Sequence, residues 1–160
     1  MKTLIFEYPQ KEDIKKASEI ILSGGLVVFP TETVYGLGAS ALDPEAAKKI
    51  YAAKGRPSDN PLIIHLSRAE DAEKYCITND IYYKLASCFM PGPITVIMPK
   101  RECIPHEVTG GLESVAVRIP MNSIALELIR NAGEKADLSL ILAGGDMATE
   151  GQRVEFEGLT

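Results

Sequence analysis

Short aliphatic runs alternate with segments of helical periodicity along most of this sequence, and this alternation restricts the possible folds. The apolar runs predict strands at residues 3–6, 26–29, 62–66, 94–98, 115–119 and 138–142. Apolar spacing and capping residues predict helices at 11–23, 44–53, 79–89 and 122–130. Because no clear helix separates the strands at 94–98 and 115–119, we expect one α/β domain over residues 1–160 with a twisted mixed sheet.

The composition limits the classes of function. Hydrophobic residues make up 46% of the chain, enough for a buried core, and the formal net charge of -5 argues against a protein that holds nucleic acid by bulk phosphate neutralisation. The apolar run within residues 1–7 is shorter than the core of a signal peptide, so we expect neither a signal peptide nor a membrane span. Cys76, Cys88 and Cys103 are widely spaced and form no C-x-x-C pair, which is typical of thiols in the reducing cytoplasm.

The segment 30–39 is polar and rich in glycine, and it separates a predicted strand from a predicted helix. A loop of this length is typical of a functional segment. Residues 36–41 match the G-x-G-x-x-A form of the dinucleotide fingerprint, but the glycines do not directly follow a strand and no acidic residue sits about 20 positions later. The alternative is that these glycines only allow the chain to turn.

A second concentration of functional residue types lies at 54–61. Lys54 and Arg56 follow a predicted helix, and Pro57 and Pro61 restrict the chain after them. The two cations are close enough to bind one polyanion, such as a triphosphate. The alternative is a helix C-terminus that carries favourable cations.

Several other sites are unsupported by the sequence. It contains no G-x-x-x-x-G-K-[ST] loop and no G-x-S-x-G elbow, and His106-Glu107 lacks the second histidine of H-E-x-x-H. With only two histidines and scattered cysteines, we expect no tightly bound, protein-ligated metal.

Together these motifs resemble those of the YrdC-type threonylcarbamoyl-AMP synthase family, in order and at the family's spacing. They are PTETVYGL at 30–37, KGRP at 54–57, NPLIIH at 60–65, PGPIT at 91–95 and VAVRIP at 115–120. The resemblance implies a twisted open mixed sheet with a concave substrate-binding face. It also implies a cytoplasmic nucleotidyltransferase that makes threonylcarbamoyl-AMP from L-threonine, bicarbonate and ATP and releases pyrophosphate. The product would pass to the machinery that makes threonylcarbamoyladenosine in tRNA.

The resemblance also implies roles for single residues. The ATP contacts would be Lys54, Arg56, Asn60 and Ser114, and the first two of these would be catalytic through their charge. The L-threonine contacts would be Thr33, His65 and Arg118. Mg²⁺ would arrive with ATP and needs no carboxylate cage. Judged by itself, His65 is more typical of a packed histidine, whereas Arg118 within an apolar strand indicates an anionic partner.

The sequence departs from the family pattern near 133–137, where members carry a Ser-x-Asn element that completes the ATP site. Residues 134–136 lead directly to the last predicted strand, and Ser139 does not supply the motif. This departure leaves two alternatives to an active synthase: a degenerate paralogue that binds nucleotide without turnover, and a module of the same fold that binds double-stranded RNA weakly.

Overall fold

The computed structural model describes residues 2–55, 57–136, 140–143 and 154–158. These residues form an α/β fold. The helices are α1 (Lys11–Leu22), α2 (Pro44–Lys54), α3 (Asp80–Phe89), α4 (His106–Thr109) and α5 (Ser123–Ala136). The strands are β1 (Lys2–Phe6), β2 (Leu26–Phe29), β3 (Gly36–Ser40), β4 (Ile63–His65), β5 (Thr95–Pro99), β6 (Ser114–Arg118), β7 (Leu140–Ala143) and β8 (Val154–Gly158). A short 3-10 helix spans Ala69–Lys74.

The described strands form a single open sheet in the order β1-β8-β2-β3-β7-β4-β6-β5. Strands β4 and β6 pair in parallel, and the other pairs are antiparallel. This arrangement confirms the predicted mixed α/β sheet.

Polar side chains cap the helices at the positions that the sequence predicts. The Asp43 carboxylate accepts a hydrogen bond from the Glu45 amide at 2.9 Å, and Pro44 occupies the first helical position of α2. Asn122 caps α5, because its side-chain oxygen accepts from the amides of Ile124 at 3.0 Å and Ala125 at 3.1 Å. These caps fix where the helices begin relative to the sheet.

Two hydrophobic cores lie on opposite faces of the sheet. On one face, α2, α3 and α4 pack against alternate residues of the strands, including Ile64 and Val117. On the other, α1 and α5 cover β2 through Val27 and Phe29. Because side chains alternate along a strand, His65 and Arg118 belong to this second face, beyond the part that α1 and α5 cover.

The uncovered part of the second face runs across β4, β6 and β5, and we call it the open face. Residues opposite one another in register share a face, so it carries Thr95, Ile97, Ser114, Ala116 and Arg118, and the buried side chain of His65 lies beside Arg118 on the same side of the sheet. Ile97 is 70% exposed, and Ser114, Ala116 and Arg118 are partly exposed. A ligand of moderate size therefore has access to this surface.

Three predicted features differ from the structure. A short helix, α4, lies between β5 and β6, where the sequence shows no clear helix. Residues 36–39, expected in a loop, belong to β3, because pairing with β2 and β7 and burial within the sheet outweigh the low strand propensity of glycine. Helix α5, predicted for residues 122–130, continues to Ala136. Asp137, where the sequence predicts a missing family segment, and Ser139 lie outside the described residues.

Within the described ranges, no helix combines the length and apolar character needed to cross a membrane.

Candidate functional site

The candidate site begins where β4 and β6 end. His65 and Arg118 are the last residues of these two parallel strands and lie opposite each other in register. The carboxyl ends of parallel neighbours lie at the same sheet edge, so the imidazole and the guanidinium come from separate sequence motifs to one place on the open face.

The segment that follows β2 approaches Arg118 from outside the two strands. Arg118 Nη2 donates to Glu32 Oε1 at 2.6 Å and to Thr33 Oγ1 at 3.3 Å. The other carboxylate oxygen of Glu32 accepts from the Met121 backbone amide at 3.0 Å. Thr33, Glu32 and Arg118 therefore form one hydrogen-bonded network.

A local turn holds Thr33 in this network. Thr31 Oγ1 accepts from the backbone amides of Thr33 and Val34, each at 3.2 Å, and donates to the Val34 carbonyl at 2.5 Å. Side-chain hydrogen bonds of this kind allow threonine to fix a turn without regular secondary structure. The turn presents the Thr33 hydroxyl to Arg118.

His65 is 2% exposed and is neutral at physiological pH. Burial lowers its pKa to about 3; the hydrogen bond to the Ile63 carbonyl opposes this shift, and the Arg118 charge adds a smaller lowering. Its Nδ1 lies 3.3 Å from the Ile63 carbonyl oxygen, so the neutral ring carries its proton there. Nε2 is then an acceptor, and it has no hydrogen-bond partner among the described residues.

Glu32 remains ionised beside Arg118. Burial acts to raise its pKa, but the hydrogen bond from Arg118, its charge and the Met121 amide outweigh burial and hold the pKa below its ordinary value. The side chains of Glu32 and Arg118 are 15% and 14% exposed, so water screens this pair only weakly.

Arg118, Thr33 and His65 form a cluster at the carboxyl ends of β4 and β6. It combines a cation, a hydroxyl and a neutral acceptor. Arg118 suits a carboxylate, and His65 Nε2, which is buried without a described partner, suits an amine or hydroxyl donor that reaches it. A small amino acid with a side-chain hydroxyl carries each of these complementary groups.

Two of the residues predicted to contact the nucleotide, Asn60 and Ser114, lie toward the opposite ends of the same strands. Ser114 is the first residue of β6 and shares the open face with Arg118. Four strand steps of about 3.3 Å separate them by roughly 13 Å. Ala116 lies between them, and its small side chain leaves a shallow path along the face.

The loop that carries Asn60 precedes β4. Its backbone carbonyl accepts from the Tyr51 hydroxyl at 2.9 Å, and a Cβ added to Gly110 would lie only 2.7 Å from the Asp59 carbonyl oxygen. The loop therefore packs closely against the segment that leads to Ser114.

Lys54 is the last residue of α2 and is partly exposed, with Gly55 in a left-handed conformation after it. Arg56 lies outside the described residues. The structure therefore brings Thr33, His65 and Arg118 together, whereas a shared pocket with Lys54 and Arg56 stays a prediction.

The turn at Pro91, Gly92 and Pro93 lies next to the end of β6. The Gly92 amide donates to the Ile119 carbonyl at 2.8 Å, and a Cβ on Gly92 would lie 2.5 Å from the Phe89 carbonyl oxygen. This close approach explains the glycine, and the turn supports the strand end that carries Arg118.

Sequence reasoning missed Glu32. It lies between two threonines of a recognised motif, and an acidic residue within an otherwise uncharged segment was the available signal. Its partner Arg118 lies 86 positions later, so only the fold reveals the pair.

No group of three or more His, Cys, Asp and Glu side chains suited to a metal ion occurs in the part of the chain that the structure describes. Cys76 is buried and Cys88 and Cys103 are exposed, and all three are free thiols.

The sequence model of the Sua5/YciO/YrdC family, described as telomere recombination, matches residues 19–157. A threonylcarbamoyl-AMP synthase of Pyrococcus abyssi is 53% identical over 119 residues, which are 72% of this chain and 34% of that protein. A threonylcarbamoyl-AMP synthase of Bacillus subtilis is 44% identical over 149 residues, 90% of this chain and 42% of that protein. The chain thus spans less than half the length of these two relatives.

A solved structure agrees with these sequence matches. The crystal structure of P. abyssi Sua5 complexed with L-threonine superposes with a TM-score of 0.80 at 46% identity, covering 86% of this chain and 39% of that one.

Proposed function

This chain belongs to the Sua5/YciO/YrdC family, and on that premise we propose that it makes threonylcarbamoyl-AMP from L-threonine, bicarbonate and ATP. The observation that carries the proposal is the convergence of Thr33, His65 and Arg118 at one end of the open face. The names of its relatives and the threonine complex of P. abyssi Sua5 support the same substrate.

L-Threonine binds at the carboxyl ends of β4 and β6. Arg118 attracts the carboxylate, Thr33 hydrogen-bonds to it, and His65 Nε2 accepts from the amine or the side-chain hydroxyl. Because burial keeps His65 neutral, this contact does not place a second positive charge beside the substrate ammonium group.

ATP binds toward the amino ends of the same strands as its Mg²⁺ complex. Asn60 and Ser114 contact the nucleotide, and Lys54 and Arg56 bind the phosphates. The separation of roughly 13 Å between Ser114 and Arg118 gives the amino acid and the nucleotide separate positions along one face. Ala116 leaves room for the reacting groups between the two ends.

The reaction has two bond-forming steps. The threonine ammonium group first loses a proton to solvent, and the neutral nitrogen then bonds to the carbon of bicarbonate with loss of water, which gives a carbamate. A carbamate oxygen then attacks the α-phosphorus, the bond from that phosphorus to the bridging oxygen breaks, and pyrophosphate leaves with the electron pair. Positioning and charge stabilisation by Lys54 and Arg56 are the main needs of such a transfer, which requires no protein nucleophile.

The product is an activated carbamoyl donor, and we assign it to the threonylcarbamoyl modification of adenosine in tRNA by a downstream transfer machinery. The chain as a whole carries a net charge of -5, so we expect any RNA contact to be weak.

Pyrophosphate release tests the proposal directly. We expect release to require ATP, L-threonine and bicarbonate together, and the adenylate to be detected by mass spectrometry. ATP binding without any release would instead identify a nucleotide-binding paralogue, the alternative that the missing Ser-x-Asn element raises. Tight binding to an RNA duplex at physiological salt without turnover would identify an RNA-binding module.

A further inference from the structure

We propose that Glu32 is a positioning residue that holds the Arg118 guanidinium in the orientation that receives the substrate carboxylate. The inference rests on the proposed function, because it concerns the amino-acid end of that site. Nothing in the family motif assigns a role to this carboxylate.

Glu32 is fixed at both of its oxygens. One accepts from Arg118 Nη2 at 2.6 Å and the other from the Met121 backbone amide at 3.0 Å. The carboxylate therefore connects the segment after β2 to the chain just beyond β6. A side chain anchored in this way defines the position of the arginine better than an exposed ion pair does.

The other donors of the Arg118 guanidinium have no protein partner among the described residues. Within the described residues, the hydrogen bonds of the guanidinium involve only Nη2, and Nε is buried without a partner. A buried donor of a charged group is costly to leave unpaired, so the arrangement needs one more acceptor. A substrate carboxylate beside Glu32 would supply it.

A different interpretation of the same contact predicts the opposite effect. If Glu32 stood in for the substrate carboxylate, threonine would have to displace it, and removing its charge would tighten binding. The contact with the Met121 amide favours positioning, because this bond holds Glu32 independently of Arg118. Glu32 also bonds to only one guanidinium nitrogen, Nη2, among the contacts of the described residues, and this favours positioning as well.

The test compares the binding of L-threonine and L-threoninamide, which lacks the carboxylate, by calorimetry. Glu32→Gln should raise the Kd for L-threonine about tenfold while the Kd for L-threoninamide changes less than about threefold. Glu32→Asp, which keeps the charge but shortens the reach to Met121, should give an intermediate loss. Glu45→Gln is the matched control, because Glu45 pairs with Lys48 at 2.7 Å on the exposed surface, and both affinities should stay at wild-type values.

Each other outcome overturns the inference. Equal weakening of both ligands by Glu32→Gln would reduce Glu32 to a structural role, and tighter L-threonine binding would make it a displaced stand-in. If Glu32→Gln does not fold, an unchanged preference of Glu32→Asp for L-threonine over the amide would overturn it. Failure of the wild-type protein to bind L-threonine would remove the proposed function together with the inference, whereas wild-type binding with an unaffected Glu32→Gln variant would remove the inference alone.

Discussion

His65 and Arg118 lie directly opposite each other on β4 and β6, at the carboxyl ends of the parallel pair. The imidazole is buried, and the positive charge of Arg118 beside it further disfavours its protonation. The pair therefore offers a fixed cation and a fixed neutral acceptor side by side. It also links the chemistry of the site to the stability of the fold, since both depend on His65 remaining neutral.

We expect the His65→Asn variant to lose less stability than the wild-type protein when the pH falls from 7 to 5. Below an unfolded-state pKa of 6.5, the unfolded histidine binds a proton that the folded one takes up only near pH 3. Lowering the pH through this window therefore favours unfolding, by about 1.4 kcal/mol per pH unit.

Urea unfolding at pH 7, 6 and 5 measures this difference. The pKa of Glu32 is lowered from its ordinary value of 4.5, so its contribution to stability is lost mainly below pH 4.5. This loss lies outside the range from pH 7 to 5 and does not obscure the comparison. Parallel stability curves for the two proteins would contradict a buried neutral His65.

The path between the two ends of the open face gives a second prediction. Ala116→Leu should lower the rate of pyrophosphate release about 100-fold, because a branched side chain between Ser114 and Arg118 would displace the reacting groups. The melting temperature should change little, since Ala116 is partly exposed.

The small substitution Ala116→Ser provides the control and should keep most of the activity. Steady-state assays of pyrophosphate release at several ATP and L-threonine concentrations would measure both variants. If Ala116→Leu were as active as Ala116→Ser, the substrates would not lie along β6.

The periodicity of the sequence predicts most of the fold, because apolar runs such as 26–29 and caps such as Asp43 depend on local properties. It does not predict β3, whose pairing with β2 and β7 depends on tertiary contacts of small residues rather than on aliphatic content. The same distinction holds at the site. A motif resemblance identifies Thr33, His65 and Arg118, whereas the role of Glu32 depends on a contact between residues 86 positions apart.

The motif at 54–57 gives a third prediction, which concerns ATP. Arg56→Ala should weaken the binding of a non-hydrolysable ATP analogue by about 1.5–3 kcal/mol, the usual contribution of a hydrogen bond to a charged group. Arg68→Ala is the control, because Arg68 is 68% exposed and pairs with Asp71 on the surface. Calorimetry should show wild-type affinity for the control, and equal affinities of the two variants would exclude Arg56 from the site.

The last prediction separates backbone strain from the position of the nucleotide loop. Gly110 and Gly111 both have left-handed conformations, with φ of +61° and +85°, so alanine at either position should cost about 1–2 kcal/mol of stability. Only at Gly110 would the new Cβ also meet Asp59, at 2.7 Å from its carbonyl oxygen, whereas nothing lies within 4 Å of a Cβ on Gly111. Gly110→Ala should therefore be less stable than Gly111→Ala by about a further 1–3 kcal/mol, since the Asp59 backbone must move.

Because Asn60 follows Asp59, Gly110→Ala should also raise the KM for ATP while leaving that for L-threonine unchanged. Gly111→Ala should leave both KM values unchanged. Urea unfolding and pyrophosphate-release kinetics measure the two effects, and the same KM for ATP in both variants would mean that this contact does not position Asn60 for the nucleotide.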